Sequence, residues 1–283
     1  MDTITVKAYA KINLGLEILA KRQDGYHNIN SALTRIGLAD ILYLRKNKEI
    51  IVNSSPELNI PCEQNLVYKT VLLMKNKFGI NEGAEIKIEK NIPVGAGLGG
   101  GSSDAAATIK GLMRLWEMNN SVETQNMIAE ISRQIGADVP YFLNEGSAIA
   151  SGKGYDLEYF ENDLKFYVLI VMAKISISTK WAYENLTKEH FSMKKTDFLG
   201  TLKEAIINKN ILKEKVFNNF ELLIFDHYPE LRKIKEELYD KGAVFALMSG
   251  SGASVYGLFD SEDDAELASK KFSNYQTFIC RMI

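Results

Sequence analysis

The chain has 283 residues, of which 46% are hydrophobic and 25% are charged, and its formal net charge is −2. That composition argues against a disordered chain, and the length is sufficient for two domains. Because proteins that grip a nucleic-acid backbone usually carry a basic surplus, the near balance of 34 Lys+Arg and 36 Asp+Glu argues against nucleic-acid binding.

The cysteines, the first residues and the apolar runs indicate the cellular compartment of the protein. The chain has two cysteines, Cys62 and Cys280, in no CxxC pattern, so neither a disulfide framework nor a cysteine-rich zinc site is expected. Residues 1–6 lack the pattern of a signal peptide. The longest apolar run, residues 166–173, is far shorter than the ~20 residues needed to span a bilayer. We therefore predict a cytoplasmic protein with no membrane attachment.

The first predicted element is a long strand, because apolar residues alternate from Val6 to Ile18. Lys11 and Asn13 lie two apart on its polar face, which is either solvated or turned towards a common ligand. The remaining elements expected in this half are strands at 41–53 and 84–90 and helices at 65–78, 102–116 and 122–134.

The second half of the chain begins with a buried strand at 166–173. The elements predicted after it are helices at 196–208, 211–223 and 229–241, strands at 243–248 and 254–259, a helix at 262–273 and a strand at 276–282. With the middle helices taken together this order is β-α-β-β-α-β, the split ferredoxin-like arrangement. We predict an α+β fold with two lobes, residues 1–153 and residues 154–283.

A glycine-rich segment follows the predicted strand at 84–90. Five of the nine residues from 93 to 101 are glycine, and an alanine-rich helix comes next. So dense a cluster predicts positive φ or the close approach of another group to the main chain. Bare N–H groups that lead into a helix N-terminus suit phosphate, although a simple helix entry or a linker is the alternative. The predicted phosphate-binding residues are Pro93, Val94, Gly95, Ala96, Gly97, Leu98, Gly99, Gly100, Gly101, Ser102 and Ser103.

Three well-known phosphate loops can be compared with this segment. A Walker loop ends in Gly-Lys-Ser/Thr, whereas Gly101 is followed by Ser102 and Ser103 with no lysine. Gly-x-Gly-x-x-Gly at 95–100 matches the dinucleotide fingerprint, but residues 117–134 are predicted to be mostly helical rather than to return to a second strand. The protein-kinase motifs His-Arg-Asp and Asp-Phe-Gly do not follow the loop.

The segment resembles the phosphate loop of the GHMP kinases, the family of galactokinase, homoserine kinase and mevalonate kinase. The form Gly-Leu-Gly-Gly-Gly-Ser-Ser-Asp-Ala-Ala is most similar to the branch that phosphorylates the 2-hydroxyl of a cytidine diphosphate-linked methylerythritol in the non-mevalonate isoprenoid route. The resemblance implies that the loop wraps the phosphates of ATP, with Ser102 and Ser103 near the β- and γ-phosphates and Mg²⁺. Asn65 and Lys90, which flank the strand that feeds the loop, are expected to line the adenine pocket.

Two further segments are similar to that family: Ala-Tyr-Ala-Lys-Ile-Asn-Leu at 8–14 and Gly-Ala-Asp-Val-Pro-Tyr-Phe at 136–142. The resemblance implies that Asp138 takes the proton of the acceptor hydroxyl, that Lys11 pairs with this carboxylate, and that Asn13 helps to hold the substrate. Without the resemblance, an aspartate before Val-Pro is more simply a helix N-cap.

The cytosine of the substrate would be recognised by aromatic residues. By resemblance, Tyr26 stacks on the base, His27 forms hydrogen bonds with it, and Tyr183 provides the second aromatic wall. Thr179 lies in the same segment as Tyr183 and is also expected to contact the substrate. Without the resemblance, Tyr26 and His27 would be read as part of a turn.

The third glycine-containing motif, residues 248–254, reads Met-Ser-Gly-Ser-Gly-Ala-Ser. It is expected to be a hairpin loop, and the resemblance adds that Gly250, Ser251 and Gly252 face the substrate diphosphate. One departure from the family pattern is that Tyr155, followed by Asp156, stands where we expect a glutamate. A second concerns the metal, because some relatives supply a carboxylate ligand downstream of the loop and none is assigned in this sequence. Magnesium is therefore expected to depend on phosphates, water and Ser102.

Several alternatives stay open on the sequence. The chain could be another small-molecule kinase of the same family, a non-catalytic nucleotide-binding module, or a dinucleotide oxidoreductase. The aromatic residues favour a cytidine substrate over an aliphatic alcohol, and a module that only binds nucleotide needs neither Lys11 nor Asp138. The oligomeric state is either monomer or homodimer.

Overall fold

Two long strands, β1 (Ile4–Lys21) and β2 (His27–Asn47), pair with each other in the computed structural model, which describes residues 3–58 and 60–283. The predicted strand at 6–18 is confirmed within β1. The first half of β2 was missed because polar residues such as Asn30 and Ser31 are buried there, which hides the alternation typical of a half-exposed strand.

The residues group by their contacts into two units that are interleaved in sequence. Unit 1 comprises the chain up to Ala10, Ala39–Val94 and Gly99–Glu145. Unit 2 comprises Lys11–Leu38, Gly95–Leu98 and Gly146–Ile283. The division at residues 153 and 154 stays a prediction.

Unit 1 contains the second half of β2, together with β3 (Ile51–Ser55) and β4 (Gly83–Glu89). β4 pairs in parallel with β3 and antiparallel with β2. The single predicted strand at 41–53 is therefore wrong, because the chain turns at 48–50 between two strands.

Three helices of unit 1 closely match the ones expected at 65–78, 102–116 and 122–134. The unit contains a 3₁₀ turn at Cys62–Gln64, α1 (Leu66–Phe78), α2 (Gly100–Leu115), α3 (Val122–Ile135) and α4 (Val139–Leu143). The expected boundaries of α1 are confirmed, since Asn65 accepts a hydrogen bond from the Val67 amide at 2.9 Å and Gly79 ends the helix with φ 65°.

Unit 2 begins its own strands with β5 (Ser147–Gly152) and β6 (Asp156–Phe160), which the sequence did not predict. β5 pairs antiparallel with both β2 and β6. Gly152 and Gly154 lie at the turn between the two strands, with φ of 63° and 102°.

The second sheet confirms the predicted split arrangement. Its strands are β7 (Tyr167–Met172), β8 (Phe245–Met248), β9 (Ser254–Phe259) and β10 (Gln276–Arg281). They lie antiparallel in the order β10-β7-β9-β8, which is the order of a β-α-β-β-α-β unit. The core of unit 2 forms between this sheet and helices that contribute Phe220, Leu231 and Leu238.

The helices of unit 2 are α5 (Thr179–Glu184), α6 (Phe198–Ala205), α7 (Ile211–Lys215), α8 (Phe220–His227), α9 (Pro229–Asp240) and α10 (Glu262–Ser269), with 3₁₀ turns at Lys188–His190 and Lys270–Phe272. The continuous helix predicted at 211–223 is wrong. The helix is interrupted at 216–219 because the backbone there forms two hydrogen bonds with Leu16 of β1. The Leu16 amide donates to the Phe217 carbonyl at 2.8 Å, and the Asn219 amide donates to the Leu16 carbonyl at 2.9 Å.

Among residues 3–58 and 60–283, no helix has the length and apolar character that a membrane crossing requires.

Candidate functional site

The glycine-rich segment forms a loop between β4 and α2. Gly95, Gly97 and Gly99 have φ of 69°, 73° and 72°. L-residues rarely adopt this left-handed backbone, so the expectation that these glycines supply positive φ is confirmed. Residues 95–98 belong to unit 2, whereas the residues before and after them belong to unit 1.

The glycines of the loop serve different purposes. A Cβ atom at Gly97 would overlap the Ser249 carbonyl oxygen, and one at Gly100 would lie 2.9 Å from Ile92 Cγ2. These two glycines permit close packing within the protein. A Cβ at Gly95, in contrast, meets no described atom within 4 Å. Gly95 is exposed, so the space beside its backbone is open to a ligand.

We expect Gly95→Ala to weaken nucleotide binding by at least about tenfold while lowering stability by only about 1–2 kcal/mol, the cost of left-handed backbone at an L-residue. Gly79→Ala is the matched control, because Gly79 has φ 65° and equally open surroundings at the end of α1. Isothermal titration with an ATP analogue and urea denaturation measure the two effects. Equal nucleotide affinity in the two variants would remove Gly95 from the ligand-binding surface.

The start of α2 provides amide donors and one accessible hydroxyl. Its N-cap is Gly99, which has no side chain to accept from the amides of the first turn, so these donors are available to an anion. Ser103 is buried and its hydroxyl donates to the Tyr9 carbonyl at 2.7 Å. Ser102 is only half-buried and suits a ligand better than Ser103.

The segment that contains Asp138 lies beside this helix start in unit 1. A Cβ atom at Gly136 would be 3.7 Å from Ser102 Oγ. Asp138 occupies the N-cap position of α4 with φ −85° and ψ −14°, and its side chain forms no capping hydrogen bond. Capping side chains usually come from extended backbone, so capping does not account for the aspartate.

Lys90 lies in a buried cluster of charges that the sequence did not reveal. Its side chain is 5% exposed, and its ammonium pairs with Asp40 and, at 2.7 Å, with Asp104 Oδ2. The second oxygen of Asp40 accepts from the amides of Asn91 and Ile92 at 2.6 and 2.8 Å. The cluster therefore fixes the main chain immediately before the glycine loop to β2 and to the first turns of α2.

The electrostatics of this cluster follow from burial and charge. Burial tends to lower the pKa of Lys90, but the carboxylates of Asp104 and Asp40 outweigh it and raise that pKa. Burial raises the pKa of Asp104 to about 7 although Lys90 opposes the change, with Asp40 adding to the rise. That Asn65 and Lys90 line the adenine pocket stays a prediction; in the structure Asn65 Oδ1 accepts a hydrogen bond from the Val67 amide and caps α1.

In unit 2, Lys11 and Asn13 lie inside the protein rather than on a solvated strand face. Each is 4% exposed, and Lys11 Nζ donates to Asn13 Oδ1 at 2.6 Å. Asn13 Nδ2 donates to Ser31 Oγ at 2.8 Å. The alternative of a solvated face is therefore wrong for these two residues.

The glycine loop and the 249–253 loop meet beside Lys11 within unit 2. The Lys11 amide donates to the Leu98 carbonyl at 3.0 Å. The Ser249 hydroxyl donates to the Gly97 carbonyl at 2.9 Å, and the Gly250 amide donates to Asn13 Oδ1 at 2.9 Å. Three motifs far apart in sequence thus converge at one place, and the 249–253 segment is the hairpin loop that was expected.

The predicted cytosine-binding residues also lie in unit 2. The rings of His27 and Tyr183 stack, with centroids 5.3 Å apart and planes 23° apart. Burial, with a smaller contribution from Lys21, lowers the pKa of His27, which favours the neutral ring. His27 Nε2 is buried and has no partner among the described residues. A buried polar atom of this kind calls for a ligand or water.

Two other predicted substrate residues have different surroundings. Tyr26 is 62% exposed, and Lys153 Nζ lies 4.5 Å from the centre of its ring. Thr179, at the start of α5, has its hydroxyl 2.9 Å from Ser251 Oγ, which links α5 to the 249–253 loop.

No group of three or more His, Cys, Asp or Glu side chains suited to a metal ion occurs in the part of the chain that the structure describes. A preformed metal centre of that kind is thus absent there. Ser102, which is half-buried at the start of α2, stays the predicted protein ligand of magnesium.

The chain is similar to kinases of one family both in sequence and in structure. Residues 65–146 match the GHMP kinases N terminal domain, and residues 201–276 match the GHMP kinases C terminal family. The 4-diphosphocytidyl-2-C-methyl-D-erythritol kinase of Thermoanaerobacter pseudethanolicus (strain ATCC 33223 / 39E) is 42% identical over 285 residues, which cover 99% of this chain and 95% of the relative.

Two further matches agree. The protein of the same name from Prosthecochloris aestuarii (strain DSM 271 / SK 413) is 41% identical over 276 residues, which cover 96% of this chain and 95% of that protein. The crystal structure of a 4-(cytidine 5'-diphospho)-2C-methyl-D-erythritol kinase superposes with a TM-score of 0.84 at 28% identity, and covers 99% of both chains.

Proposed function

Since the chain belongs to the GHMP kinase family, we propose that it transfers the γ-phosphoryl group of ATP to the 2-hydroxyl of 4-diphosphocytidyl-2-C-methyl-D-erythritol. The name shared by relatives about 40% identical over the full chain supports this substrate. The observation that carries the proposal is the convergence of Lys11, Asn13, residues 95–98 and the 249–253 loop within unit 2.

The proposed reaction is an in-line displacement at the γ-phosphorus. The 2-hydroxyl oxygen forms the new bond to phosphorus, its proton passes to the carboxylate of Asp138, and the bond to the β,γ-bridging oxygen breaks to release ADP. Lys11 supplies positive charge next to the reacting groups. Most of the rate enhancement would come from positioning and charge stabilisation, and the base would add about 10²–10⁴-fold.

The glycine loop and the start of α2 would hold the triphosphate through backbone amides. Their positive φ values and the open space beside Gly95 support this role. Magnesium, with Ser102 as its proposed protein ligand, would neutralise charge on the phosphate oxygens. Asn65 and Lys90 act on the nucleotide indirectly in this proposal, through α1 and the base of the loop.

The substrate would be recognised through its base and its diphosphate. We propose that His27 Nε2 forms a hydrogen bond with cytosine, that Tyr183 and Tyr26 provide stacking surfaces, and that Thr179 completes this side of the pocket. Asn13 and the 250–252 backbone would contact the diphosphate. The buried, unpartnered Nε2 of His27 supports the first assignment.

A coupled ADP-release assay across candidate alcohols tests the substrate. We expect turnover with the cytidine substrate and none with homoserine or mevalonate, and we expect His27→Phe to raise the KM for the cytidine substrate by at least about tenfold with the KM for ATP unchanged. His190→Phe is the control, because the hydrogen bonds described for the His190 ring involve only the amide and the hydroxyl of Thr187. Turnover of an aliphatic alcohol instead would point to another kinase of the family, and nucleotide binding without turnover would indicate a non-catalytic module.

The remaining properties are proposals from composition. We propose a cytoplasmic enzyme that acts as a monomer or homodimer and does not bind nucleic acid, given the near-neutral net charge of −2 and the two cysteines, both of which are free thiols.

A further inference from the structure

Asn218 lies in the break between α7 and α8 and holds the 249–253 loop. It is 2% exposed, and its Nδ2 donates to the carbonyls of Met248 and Gly250, both at 2.8 Å. Its Oδ1 accepts from the Phe220 amide at 3.0 Å. Both side-chain ends of Asn218 are therefore satisfied by backbone groups, two of them at the loop.

The contacts continue from the loop to Lys11. The Gly250 amide donates to Asn13 Oδ1 at 2.9 Å, and the same oxygen accepts from Lys11 Nζ at 2.6 Å. Gly250 is thus held by its carbonyl to Asn218 and by its amide to Asn13, and its φ is 58°. A shift of this residue would move the oxygen that orients the Lys11 ammonium.

Glu221, in the first turn of α8, provides a second anchor to the same loop. Its Oε1 accepts from the Met248 amide at 2.8 Å, and its Oε2 pairs with Lys235 Nζ at 2.6 Å. Asn218 donates to the carbonyl of Met248, and Glu221 accepts from the Met248 amide. Residues at the start of α8 therefore fix the peptide groups on both sides of Met248. The loop is therefore rigidly attached at its base.

We propose that Asn218 is a positioning residue for phosphoryl transfer, setting the Gly250 peptide and, through Asn13, the Lys11 ammonium. This inference rests on the proposed function, in which Lys11 stabilises the reacting groups. Asn218 contacts no reacting atom in this scheme and acts entirely through hydrogen bonds. A displacement of about 1 Å in a positioned group can cost about 100-fold in rate.

The test compares Asn218→Ala with Asn219→Ala. Asn219 is adjacent and also buried, but its Oδ1 accepts from the Ile18 amide at 2.7 Å and from Ser192 Oγ at 3.1 Å, away from the loop. We expect both variants to lose stability, and only Asn218→Ala to lower kcat, by about 10–100-fold, with the KM for ATP unchanged. Equal kcat in the two variants would overturn the proposal.

A double-mutant cycle asks whether Asn218 acts through Lys11. We expect Asn218→Ala to lower kcat by no more than about threefold in a Lys11→Ala background, because coupled residues are non-additive. If Asn218→Ala lowered kcat by the same factor in the Lys11→Ala background as in the wild-type protein, Asn218 would not act through Lys11. Asn218→Asp keeps the size and the acceptor for Phe220 while removing both donors, and it replaces Asn218→Ala in the cycle if the alanine variant does not fold.

Hydrogen exchange at the Gly250 amide separates this inference from the proposed function. In the wild-type protein without substrate the amide is expected to be protected by Asn13, and Asn218→Ala should reduce that protection while Asn219→Ala should not. Unchanged protection in Asn218→Ala would overturn the positioning role even in an active enzyme. If the wild-type protein does not phosphorylate the cytidine substrate, the proposed function fails and the exchange result still decides the attachment of the loop.

Discussion

Replacing Asp138 by asparagine should lower kcat by about 10²–10⁴-fold while leaving ATP binding close to that of the wild-type protein. The expected loss is that of a general base, because asparagine has nearly the same shape but cannot take up the proton of the acceptor hydroxyl. Steady-state kinetics with the cytidine substrate measure kcat, and titration with a non-hydrolysable ATP analogue measures the affinity for nucleotide.

The substitution separates catalysis from helix capping. Asparagine is as good an N-cap as aspartate, so a residue that merely begins α4 would tolerate the change. Asp197→Asn is the matched control, since Asp197 does cap α6 through a 2.8 Å hydrogen bond from the Gly200 amide and should keep full activity when changed. Wild-type kcat in Asp138→Asn would remove this residue from the mechanism.

The same reasoning applies to its proposed partner. Lys11→Ala should lower kcat strongly, and combining it with Asp138→Asn should cost much less than the product of the two single losses, because residues that act as a unit are not additive. The burial of Lys11 also predicts that Lys11→Ala reduces stability, so activity is compared at temperatures at which the variant is folded.

The sequence was most informative where local chemistry determines local structure. Asn65 and Gly79 bound α1 as cap and stop signals predict, and the glycine loop takes the positive φ that its composition requires. The alternation in β1 placed Lys11 and Asn13 on one face, and the structure shows that the two side chains are bonded to each other. Periodicity and capping are properties of neighbouring residues, so a single sequence contains them.

The features that the sequence did not reveal depend on distant partners. Asn30 and Ser31 are polar residues of types common in loops, but in the fold they are buried, and Asn30 contacts the Thr196 carbonyl. The first half of β2 was not predicted for that reason. The break at 216–219 exists because Leu16 binds there, two hundred residues earlier in the chain. Asn218 carries no local signal of its contact with the 249–253 loop, because an asparagine in a predicted helix is unremarkable by itself.

Lys90 is another such case, and its replacement should have the largest effect on stability. Lys90→Met should lower the free energy of unfolding by about 3–5 kcal/mol, because it leaves the carboxylates of Asp40 and Asp104, which are 0% and 4% exposed, without their cation. Urea denaturation followed by circular dichroism measures the loss. Lys87→Met is the control, since Lys87 is an exposed residue of β4, the strand that ends just before Lys90, and should change stability by less than about 0.5 kcal/mol.

Removing one of the two carboxylates tests the cause of that loss. Lys90→Met combined with Asp104→Asn should be more stable than Lys90→Met alone at alkaline pH, where Asp104 is ionised and the second change removes one of two uncompensated charges. The gain should disappear below about pH 7, because burial raises the pKa of Asp104 to about 7 even with Lys90 present, and the carboxyl is then already neutral. Asp40 must stay, since it also accepts from the amides of Asn91 and Ile92 and so holds the base of the glycine loop. If Lys90→Met instead kept the stability of the wild-type protein and raised only the KM for ATP, Lys90 would contact the nucleotide directly, as its position before the loop first suggested.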